Sequence, residues 1–272
     1  MTALEKLQKK QNDGFHICVG LDSDLSKIPP HLKKSSAPLL AFNKTIIEAT
    51  RDIAAAYKIN LAFYEKEGKK GIGALEETLN LLPADTLIIG DAKKGDIGNT
   101  SRMYASSLFE HFKFDASTLH PYMGYDSVQP FLDYKDKLNF MLVLTSNPGN
   151  KDFEKIKTED GKFLYQVILN KVNDWNDSKN CGIVFGATNP GELKENLNSF
   201  KDLPVLLPGV GSQGGNLEEV TEIFESAGNT NYLVNVSRAL IYADSSENFG
   251  RKTSEKLTEM NKTVKRIISN YK

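Results

Sequence analysis

The sequence has few of the residues from which metal centres and disulfide scaffolds are built. It contains two cysteines and four histidines among 272 residues, and it has neither a Cys/His cluster nor an H-E-x-x-H motif, so nothing in it is typical of a transition-metal site. Both cysteines, Cys18 and Cys181, lie in apolar runs, where a reduced and buried thiol is far more common than a reactive one. We therefore expect a protein whose fold needs neither a metal nor a disulfide.

Long apolar runs and an excess of charge of one sign are also missing. No apolar run approaches the roughly eighteen residues of a membrane span, and the start, MTALEKLQKKQN, lacks the apolar core of a secretory signal. The 34 basic and 35 acidic residues give a formal charge of -1, whereas a protein whose main partner is nucleic acid usually has a clear positive excess. These absences argue against nucleic-acid and membrane partners, and we expect a cytoplasmic protein.

What the sequence does contain is a regular alternation of short apolar runs with longer amphipathic stretches. The runs predict strands at residues 16–21, 55–61, 86–90, 116–119, 140–145, 182–187, 205–209 and 232–236. Helical periodicity marks stretches such as 39–54, 102–112, 163–175 and 217–226, and apolar residues at helical spacing from 257 to 268 predict a final packed helix. No linker rich in Pro, Gly or Ser separates a second domain. The pattern predicts a single-domain (β/α)8 TIM barrel with a core from about residue 15 to 270, and an open doubly wound sheet is the alternative.

Charged side chains collect at the ends of the first three predicted strands. The first run ends in VGLDSD with Asp22, and the second carries Lys58. The third continues into GDAKKGDIGNT, which places Asp91 and Lys93 two residues apart and Asp96 just beyond them. Because barrel active sites form at the carboxyl ends of the strands, we expect these charges to share one rim and to neutralise one another. Any one of them fits an ordinary surface ion pair, but together they indicate a preorganised field suited to a reaction that develops negative charge on carbon.

A glycine-rich segment, PGVGSQGG, follows the seventh predicted strand. Gly209, Gly211 and Gly214 match G-x-G-x-x-G, which on its own suggests dinucleotide binding. However, the motif lies late in the chain, and the next strand ends in NVSR without the acidic residue that would hold a ribose. We interpret the segment as a phosphate-binding loop, formed by Gly211, Gly214 and Gly215, to which Arg238 adds a bidentate guanidinium. A glycine turn that serves only packing is the alternative.

Three further strand ends carry weaker signals. TLHPYMG places His120 at the end of the fourth strand, and LTSNPGN and GATNPGE follow the fifth and sixth strands with Asn147 and Asn189. Turn chemistry explains these segments as well as ligand binding does, so they are left without a role.

Taken together, these segments resemble the orotidine 5'-monophosphate decarboxylase family in its longer, bacterial-type subfamily. GDAKKGDIGNT contains the D-x-K-x-x-D signature of that family, and VGLDSD, AAYKIN, LTSNPG, FGATNP and PGVGSQGG look like its other landmarks in the same order. The resemblance implies a (β/α)8 enzyme without cofactor or metal. It also implies the conversion of orotidine 5'-phosphate to UMP and CO2, the last step of de novo pyrimidine synthesis.

The resemblance further implies a role for each matching residue. Lys93 would protonate C6 of the pyrimidine as a vinyl carbanion forms, and Asp91 would lie against the departing carboxylate. Lys58 and Asp96 would complete a charged tetrad. The substrate-binding residues would be Asp22 and Thr100 on the ribose hydroxyls, Ser146 on the base, and Gln213 and Arg238 on the phosphate. Asp96 and Thr100 would act in the neighbouring subunit's site, which implies a homodimer.

Two other functions fit parts of this pattern. A magnesium-dependent decarboxylase or aldolase of phosphorylated sugars shares the barrel and a similar D-x-K-x-x-D, but its relatives carry an acidic residue on the second strand, where this sequence has Lys58. A catalytically silent phosphate-binding barrel would have little reason to retain Asp91 and Asp96. The decarboxylase is therefore the favoured hypothesis.

Overall fold

Eight parallel strands close into a barrel at the centre of the computed structural model, which describes residues 1–211 and 213–271. The strands are β1 (Ile17–Gly20), β2 (Ala56–Asn60), β3 (Leu87–Lys94), β4 (Ala116–Leu119), β5 (Leu138–Leu144), β6 (Cys181–Phe185), β7 (Val205–Leu207) and β8 (Tyr232–Val236). Each strand pairs with the next one along the chain, and β8 pairs with β1. The predicted (β/α)8 barrel is therefore confirmed, and the open doubly wound sheet is excluded.

Helices surround the barrel and connect its strands. They are α1 (Ala3–Asn12), α2 (Pro38–Thr50), α3 (Ala62–Glu65), α4 (Gly68–Leu79), α5 (Gly98–Ser106), α6 (Tyr125–Leu132), α7 (Leu164–Asp174), α8 (Pro190–Asn196), α9 (Leu217–Ser226), α10 (Arg238–Ile241) and α11 (Phe249–Tyr271). The predicted helix at 102–112 corresponds to the end of α5 and a wider π-helical turn, Ser107–His111. Among the described residues, none of the helices combines the length and apolar character of a membrane span.

The core has two apolar layers because successive side chains of a strand point to opposite faces. The layer inside the barrel includes Cys18, Ile89, Phe140, Leu206 and Leu233. The layer between the strands and the helices contains the alternate strand residues together with the apolar stripe of α11. Both faces of each strand are therefore covered, which explains why the strands are apolar almost throughout.

Helix α1 closes the amino-terminal end of the barrel, and the sequence analysis did not predict it. Thr2 and Glu5 form a capping box, in which the Thr2 hydroxyl accepts from the Glu5 N–H and the Glu5 carboxylate accepts from the Thr2 N–H. Leu7 is fully buried among the side chains inside the barrel. The Nζ of Lys6 lies 2.8 Å from Oδ1 of Asp115, the residue before β4. The helix thus seals the end of the barrel opposite to the strand ends that carry the predicted site.

The two cysteines behave as the sequence predicts. Cys18 and Cys181 are both free and buried, on β1 and β6. Burial raises the pKa of each thiol to about 12, so neither forms the thiolate that a reactive cysteine requires.

Candidate active site

A cavity of about 260 Å³ opens at the carboxyl ends of the barrel strands. Most of the predicted side chains border it, namely Asp22, Lys58, Asp91, Lys93, Ser146, Gln213 and Arg238. A larger cavity, of about 690 Å³, lies at the opposite end beside α1 and the strand starts, and its lining includes five asparagine and two lysine residues. Only the carboxyl-end cavity brings together the charged residues that the sequence singles out, so we take it as the candidate active site.

A continuous chain of opposite charges crosses the floor of this cavity. Asp91 on β3 receives Lys58 Nζ on Oδ2 at 2.6 Å and Lys93 Nζ on Oδ1 at 2.5 Å. Lys58, on β2, also lies 3.8 Å from Oδ1 of Asp22, which follows β1. The side chains of Lys58 and Asp91 are almost fully buried, whereas that of Lys93 is 48% exposed. Three neighbouring strands therefore bring the predicted charges together, and only Lys93 presents its ammonium to the open cavity.

The pKa values of the two buried groups reflect this pairing. Burial alone would raise the pKa of Asp91, but the ammonium groups of Lys58 and Lys93 outweigh it and hold that pKa well below the ordinary range. Burial would likewise lower the pKa of Lys58, and the carboxylates of Asp91 and Asp22 reverse the effect, so that the pKa lies above the usual lysine value. Both groups are therefore charged across the neutral pH range.

Thr118, on β4, is a member of the site that the sequence analysis missed. Its hydroxyl donates to Oδ1 of Asp91 at 2.9 Å and accepts from the backbone N–H of Lys93 at 3.0 Å. The sequence signal for it was the alternation of side chains along a strand. Ala116 faces the barrel interior, so Thr118, two residues further along, faces the interior too.

Asp96 and Thr100 do not border the cavity of their own chain. Asp96 lies past the end of β3, where its Oδ1 accepts from the N–H of Ile97 at 2.8 Å. Thr100 is exposed on the first turn of α5. Within one chain the structure therefore brings together three members of the predicted tetrad, Lys58, Asp91 and Lys93, and leaves Asp96 outside.

The glycine-rich loop follows β7 at the edge of the cavity, and residue 212 within it lies outside the described residues. Gly211 and Gly214 have φ values of +82° and +93°, which glycine adopts without strain. The N–H of Gly211 donates to the carbonyl of Gly215, that of Gly214 to Gly211, and that of Gly215 to Gly209. In this structure the three predicted N–H groups therefore close the turn, and Gln213 and Arg238 are the polar side chains that the loop and α10 place beside the cavity.

Ser146 and Gln213 meet across the mouth of the cavity. The Ser146 hydroxyl donates to Oε1 of Gln213 at 2.7 Å, and both residues border the cavity. Because one residue follows β5 and the other lies in the loop after β7, this bond fixes the two predicted contacts relative to each other.

Three buried polar atoms that border the cavity have no hydrogen-bond partner in the described part of the chain. They are Oδ1 of Asp22, Oδ1 of Asn235 and Oγ of Ser237. Buried polar atoms are nearly always paired, so these three mark the wall of the cavity beside β1 and β8 as polar and incompletely hydrogen-bonded. The sequence analysis missed Asn235 and Ser237, although Leu233 inside the barrel and period-two alternation along β8 place Asn235 on the inner face.

The three residues that the sequence left without a role, His120, Asn147 and Asn189, form hydrogen bonds with neighbouring loop residues. Nδ1 of His120 accepts from the N–H of Tyr122 at the start of a short 3-10 turn. Asn189 Nδ2 donates to the carbonyl of Thr145, and Asn147 accepts from the Thr145 hydroxyl beside the cavity. Within residues 1–211 and 213–271, no group of three or more His, Cys, Asp or Glu side chains is arranged to hold a metal ion.

Known proteins that resemble this chain in sequence and fold belong to one family. The model of the orotidine 5'-phosphate decarboxylase / HUMPS family matches residues 16–252. An orotidine 5'-phosphate decarboxylase of Porphyromonas gingivalis is 43% identical over 267 residues, which cover 97% of this chain and 96% of that protein. The solved structure of Leishmania donovani OMP decarboxylase has a TM-score of 0.79 at 34% identity, with 96% of this chain and 99% of that one covered.

A longer relative contains the same fold. The structure of Leishmania donovani UMP synthase has a TM-score of 0.84 at 35% identity, and the match covers 96% of this chain but 57% of that one. This chain therefore spans somewhat more than half of that protein's length. With a family model that matches most of its residues and relatives that align along nearly its whole length, this chain belongs to the orotidine 5'-phosphate decarboxylase / HUMPS family.

Proposed function

We propose that this protein is an orotidine 5'-phosphate decarboxylase, which converts orotidine 5'-phosphate to UMP and CO2 in the last step of de novo pyrimidine synthesis. The observation that carries the proposal is the Lys58–Asp91–Lys93 chain, in which a buried carboxylate holds one buried and one open ammonium at the floor of the cavity. Family membership and the named relatives support the same substrate.

In the proposed reaction Lys93 is the acid. When the bond between C6 and the carboxylate breaks, CO2 departs and the electron pair stays on C6, which has no electron sink in the pyrimidine ring. A fixed ammonium stabilises that charge and delivers its proton to C6. Because the side chain of Lys93 is about half exposed, water can return the proton to it after product leaves. The charges of the protein itself thus supply the catalysis, and we propose that no cofactor or metal takes part.

Asp91 and Lys58 set the electrostatic potential around the proton that Lys93 transfers. Asp91 stays ionised, so it repels a substrate carboxylate placed near it and attracts the ammonium of Lys93. Lys58, also charged, neutralises the other oxygen of Asp91 at 2.6 Å. A site fixed in this way before the substrate binds needs little rearrangement as charge develops.

The remaining residues bind the parts of the substrate that do not react. We propose that Asp22, whose carboxylate borders the cavity and whose Oδ1 has the Lys58 ammonium at 3.8 Å but no hydrogen bond in the described part of the chain, accepts from the ribose hydroxyls. Ser146 contacts the base, and Gln213 and Arg238 bind the phosphate beside the glycine loop. The loop of Gly211, Gly214 and Gly215 would contribute its N–H groups to the phosphate only by exchanging the hydrogen bonds that close the turn. Asp96 and Thr100 act in the site of a second copy of the chain, so that the active form is a homodimer.

The position of Lys58 favours this function over the magnesium-dependent alternative. A divalent cation bound to Asp91 would lie next to the buried Lys58 ammonium, which already occupies one carboxylate oxygen. A silent phosphate-binding barrel would have little reason to keep this ionised chain, because removing charges from water is costly even when they are paired.

The test is to mix the purified protein with orotidine 5'-phosphate in EDTA and to follow the loss of the orotate ultraviolet absorbance. We expect full activity in the chelator and no turnover by a Lys93→Ala variant that still binds UMP. Activity that EDTA abolishes and Mg²⁺ restores would favour the sugar-phosphate class. Binding of the nucleotide without turnover by the wild-type protein would indicate a silent binding barrel.

A further inference from the structure

Thr118 lies directly behind the reacting charges and is bonded to two of them. Its side chain is buried on the inner face of β4. The hydroxyl is 2.9 Å from Oδ1 of Asp91 and 3.0 Å from the backbone nitrogen of Lys93. No role in the proposed chemistry has so far been given to it.

The direction of both hydrogen bonds follows from the chemistry of the three groups. The backbone N–H of Lys93 can only donate, so the Thr118 oxygen must accept from it. The single hydroxyl proton is then free to point at Asp91, whose ionised carboxylate can only accept. Thr118 therefore ties the backbone of the proposed acid to the carboxylate that holds the ammonium of the same residue.

The backbone around Lys93 explains why such a tie is needed. The register between β3 and β4 shifts after Gly90, which pairs with Ser117. The next pair is Lys94 with Leu119, so β3 has three residues between the two pairs where β4 has one, and the ladder is interrupted from Asp91 to Lys93. Lys93 has a φ of +47°, in the left-handed region that residues with a Cβ rarely adopt. Its N–H, which the interrupted ladder leaves without a regular strand partner, donates to the Thr118 side chain instead. Irregularities of this kind commonly redirect a side chain beside an active site.

We propose that Thr118 is a positioning residue for the decarboxylation: its hydroxyl holds the bulged backbone at Lys93 and the carboxylate of Asp91 in the arrangement that presents the Lys93 ammonium to C6. The inference rests on the proposed function and extends it to a residue that does not react. It predicts that loss of the hydroxyl lowers kcat more than it weakens binding, because Thr118 acts on the acid and not on the ribose or phosphate contacts.

The test compares three variants with the wild type. Thr118→Val keeps the shape and the β-branch of the side chain but removes both hydrogen bonds, and Thr118→Ser keeps the hydroxyl while removing the methyl group. Ser117→Ala is the matched control, because Ser117 is buried on the same strand and donates to Asn139 at 2.8 Å without touching the charged chain. For each protein, kcat and KM for orotidine 5'-phosphate, the Kd for UMP and the thermal midpoint are measured.

We expect kcat of Thr118→Val to fall on the order of 10² -fold, the loss that a small misplacement of a reacting group produces, with the Kd for UMP changed by less than about threefold. Thr118→Ser should recover most of kcat, and Ser117→Ala should keep the wild-type kcat even if its thermal midpoint drops. If Thr118→Val does not fold, Thr118→Ala, which removes the hydroxyl with a smaller side chain, replaces it.

The proposal is overturned if the hydroxyl-free variant keeps the wild-type kcat. It is also overturned if Thr118→Ser is as impaired as Thr118→Val, because packing would then explain the loss, or if Ser117→Ala loses kcat to the same extent. A wild-type protein that does not decarboxylate orotidine 5'-phosphate would instead contradict the proposed function itself, so the two failures are distinguishable.

Discussion

Asp91 is the residue on which the candidate site converges. Its two oxygens receive Lys58, Lys93 and Thr118, so that both oxygens of this buried carboxylate are hydrogen-bonded, Oδ1 twice and Oδ2 once. Lys58 depends on it in turn, because the other carboxylate near Lys58 in the described part of the chain is that of Asp22, at 3.8 Å. A charge buried among apolar strands is tolerated only with such partners. The residue proposed to act on the substrate is therefore also the one that makes the burial of Lys58 possible.

This dependence gives a prediction about stability. Asp91→Ala leaves the ammonium of Lys58 buried without its closest carboxylate, and we expect it to lower the free energy of unfolding by about 3 kcal/mol or more. Asp85→Ala is the control, because Asp85 pairs with Lys9 at 3.0 Å on the exposed surface and such pairs contribute roughly 0 to 1 kcal/mol. Urea denaturation at neutral pH measures both changes. Equal effects of the two substitutions would contradict the interpretation.

His16 provides a second prediction, on pH. Burial lowers its pKa from 6.5 to about 4, although its hydrogen bond to the Tyr232 carbonyl acts in the opposite direction. Between these two values the unfolded chain takes up a proton that the folded chain does not, so stability is fully present above about pH 6.5 and decreases as the pH falls towards 4. The expected contribution of this one group is about 3 kcal/mol.

His16→Gln isolates this contribution, because glutamine can also donate to the carbonyl but does not titrate. Urea denaturation of both proteins at several values between pH 7 and pH 4 should show a smaller loss of stability in the variant, by about 3 kcal/mol over the range. If the two proteins lose stability in parallel, His16 is not the group responsible.

At the residue scale, strand periodicity predicts some members of the candidate site and not others. Lys58, Asp91 and Lys93 could be predicted to meet, because the carboxyl ends of neighbouring parallel strands must lie at one rim. Thr118 could not be assigned in this way, because its contact with the Lys93 backbone depends on the register shift between β3 and β4. That shift is a property of the pairing of two strands, and neither strand's sequence specifies it alone.

At the scale of secondary-structure elements, the apolar cores of the strands were predictable, but only some of their ends were. β4 and β8 have the predicted bounds, because their apolar runs end where their pairing ends. β3 was predicted to end at Gly90 but continues to Lys94. The additional residues, Asp-Ala-Lys-Lys, lack the pattern of a buried strand, and the bonds of the charged chain and Thr118 hold part of this extension in place.

Helix α1 was missed because it lies before the first strand, outside the alternation that predicts the barrel. The available signal was local: Thr2 followed by Glu5 is the S/T-x-x-E pattern of a capping box ahead of a helical stretch. The helix packs on the barrel through few side chains, above all Leu7, so its hydrophobic periodicity is brief.

Leu7 therefore allows a prediction for this element. Leu7→Ala should lower the free energy of unfolding by about 2 to 5 kcal/mol, because it leaves a cavity at the sealed end of the barrel. Thr2→Ala, which removes only the helix cap, should cost about 1 kcal/mol. Urea denaturation of both variants compares the two losses. An effect of Leu7→Ala no larger than that of Thr2→Ala would show that α1 does not contribute to the closed barrel as its packing indicates.

At the scale of the whole molecule, the segment from Asp96 to Met103 does not border the cavity of its own chain and carries exposed apolar side chains. Ile97 is 58% exposed and Met103 57%, close to Asp96 and Thr100 in sequence. An exposed apolar patch rimmed by polar residues is typical of a protein interface. These exposed side chains support the proposal that this segment packs against a second copy of the chain and delivers Asp96 and Thr100 to its site.

A mixture of two inactive variants tests this shared site. Lys93→Ala and Asp96→Ala homodimers should each be severely impaired, because every site lacks either its acid or a carboxylate that holds the acid in place. In a mixed dimer, the chain with intact Lys93 receives intact Asp96 from its partner, so one of the two sites is complete. Random association of equal amounts makes about half of the dimers mixed. Each mixed dimer has one complete site of two, so about a quarter of the wild-type activity should return.

The experiment unfolds the two variants together, refolds them and measures decarboxylation of orotidine 5'-phosphate, with the wild-type protein carried through the same treatment as the control. If Asp96 instead served its own chain, each site would contain one substitution whatever the pairing, and mixing would restore nothing. The position of Asp96 outside its own cavity favours recovery. Varying the ratio of the two variants distinguishes a shared site from a general effect of refolding. The fraction of mixed dimers is greatest at equal proportions, so the recovered activity should also be greatest there and fall on either side.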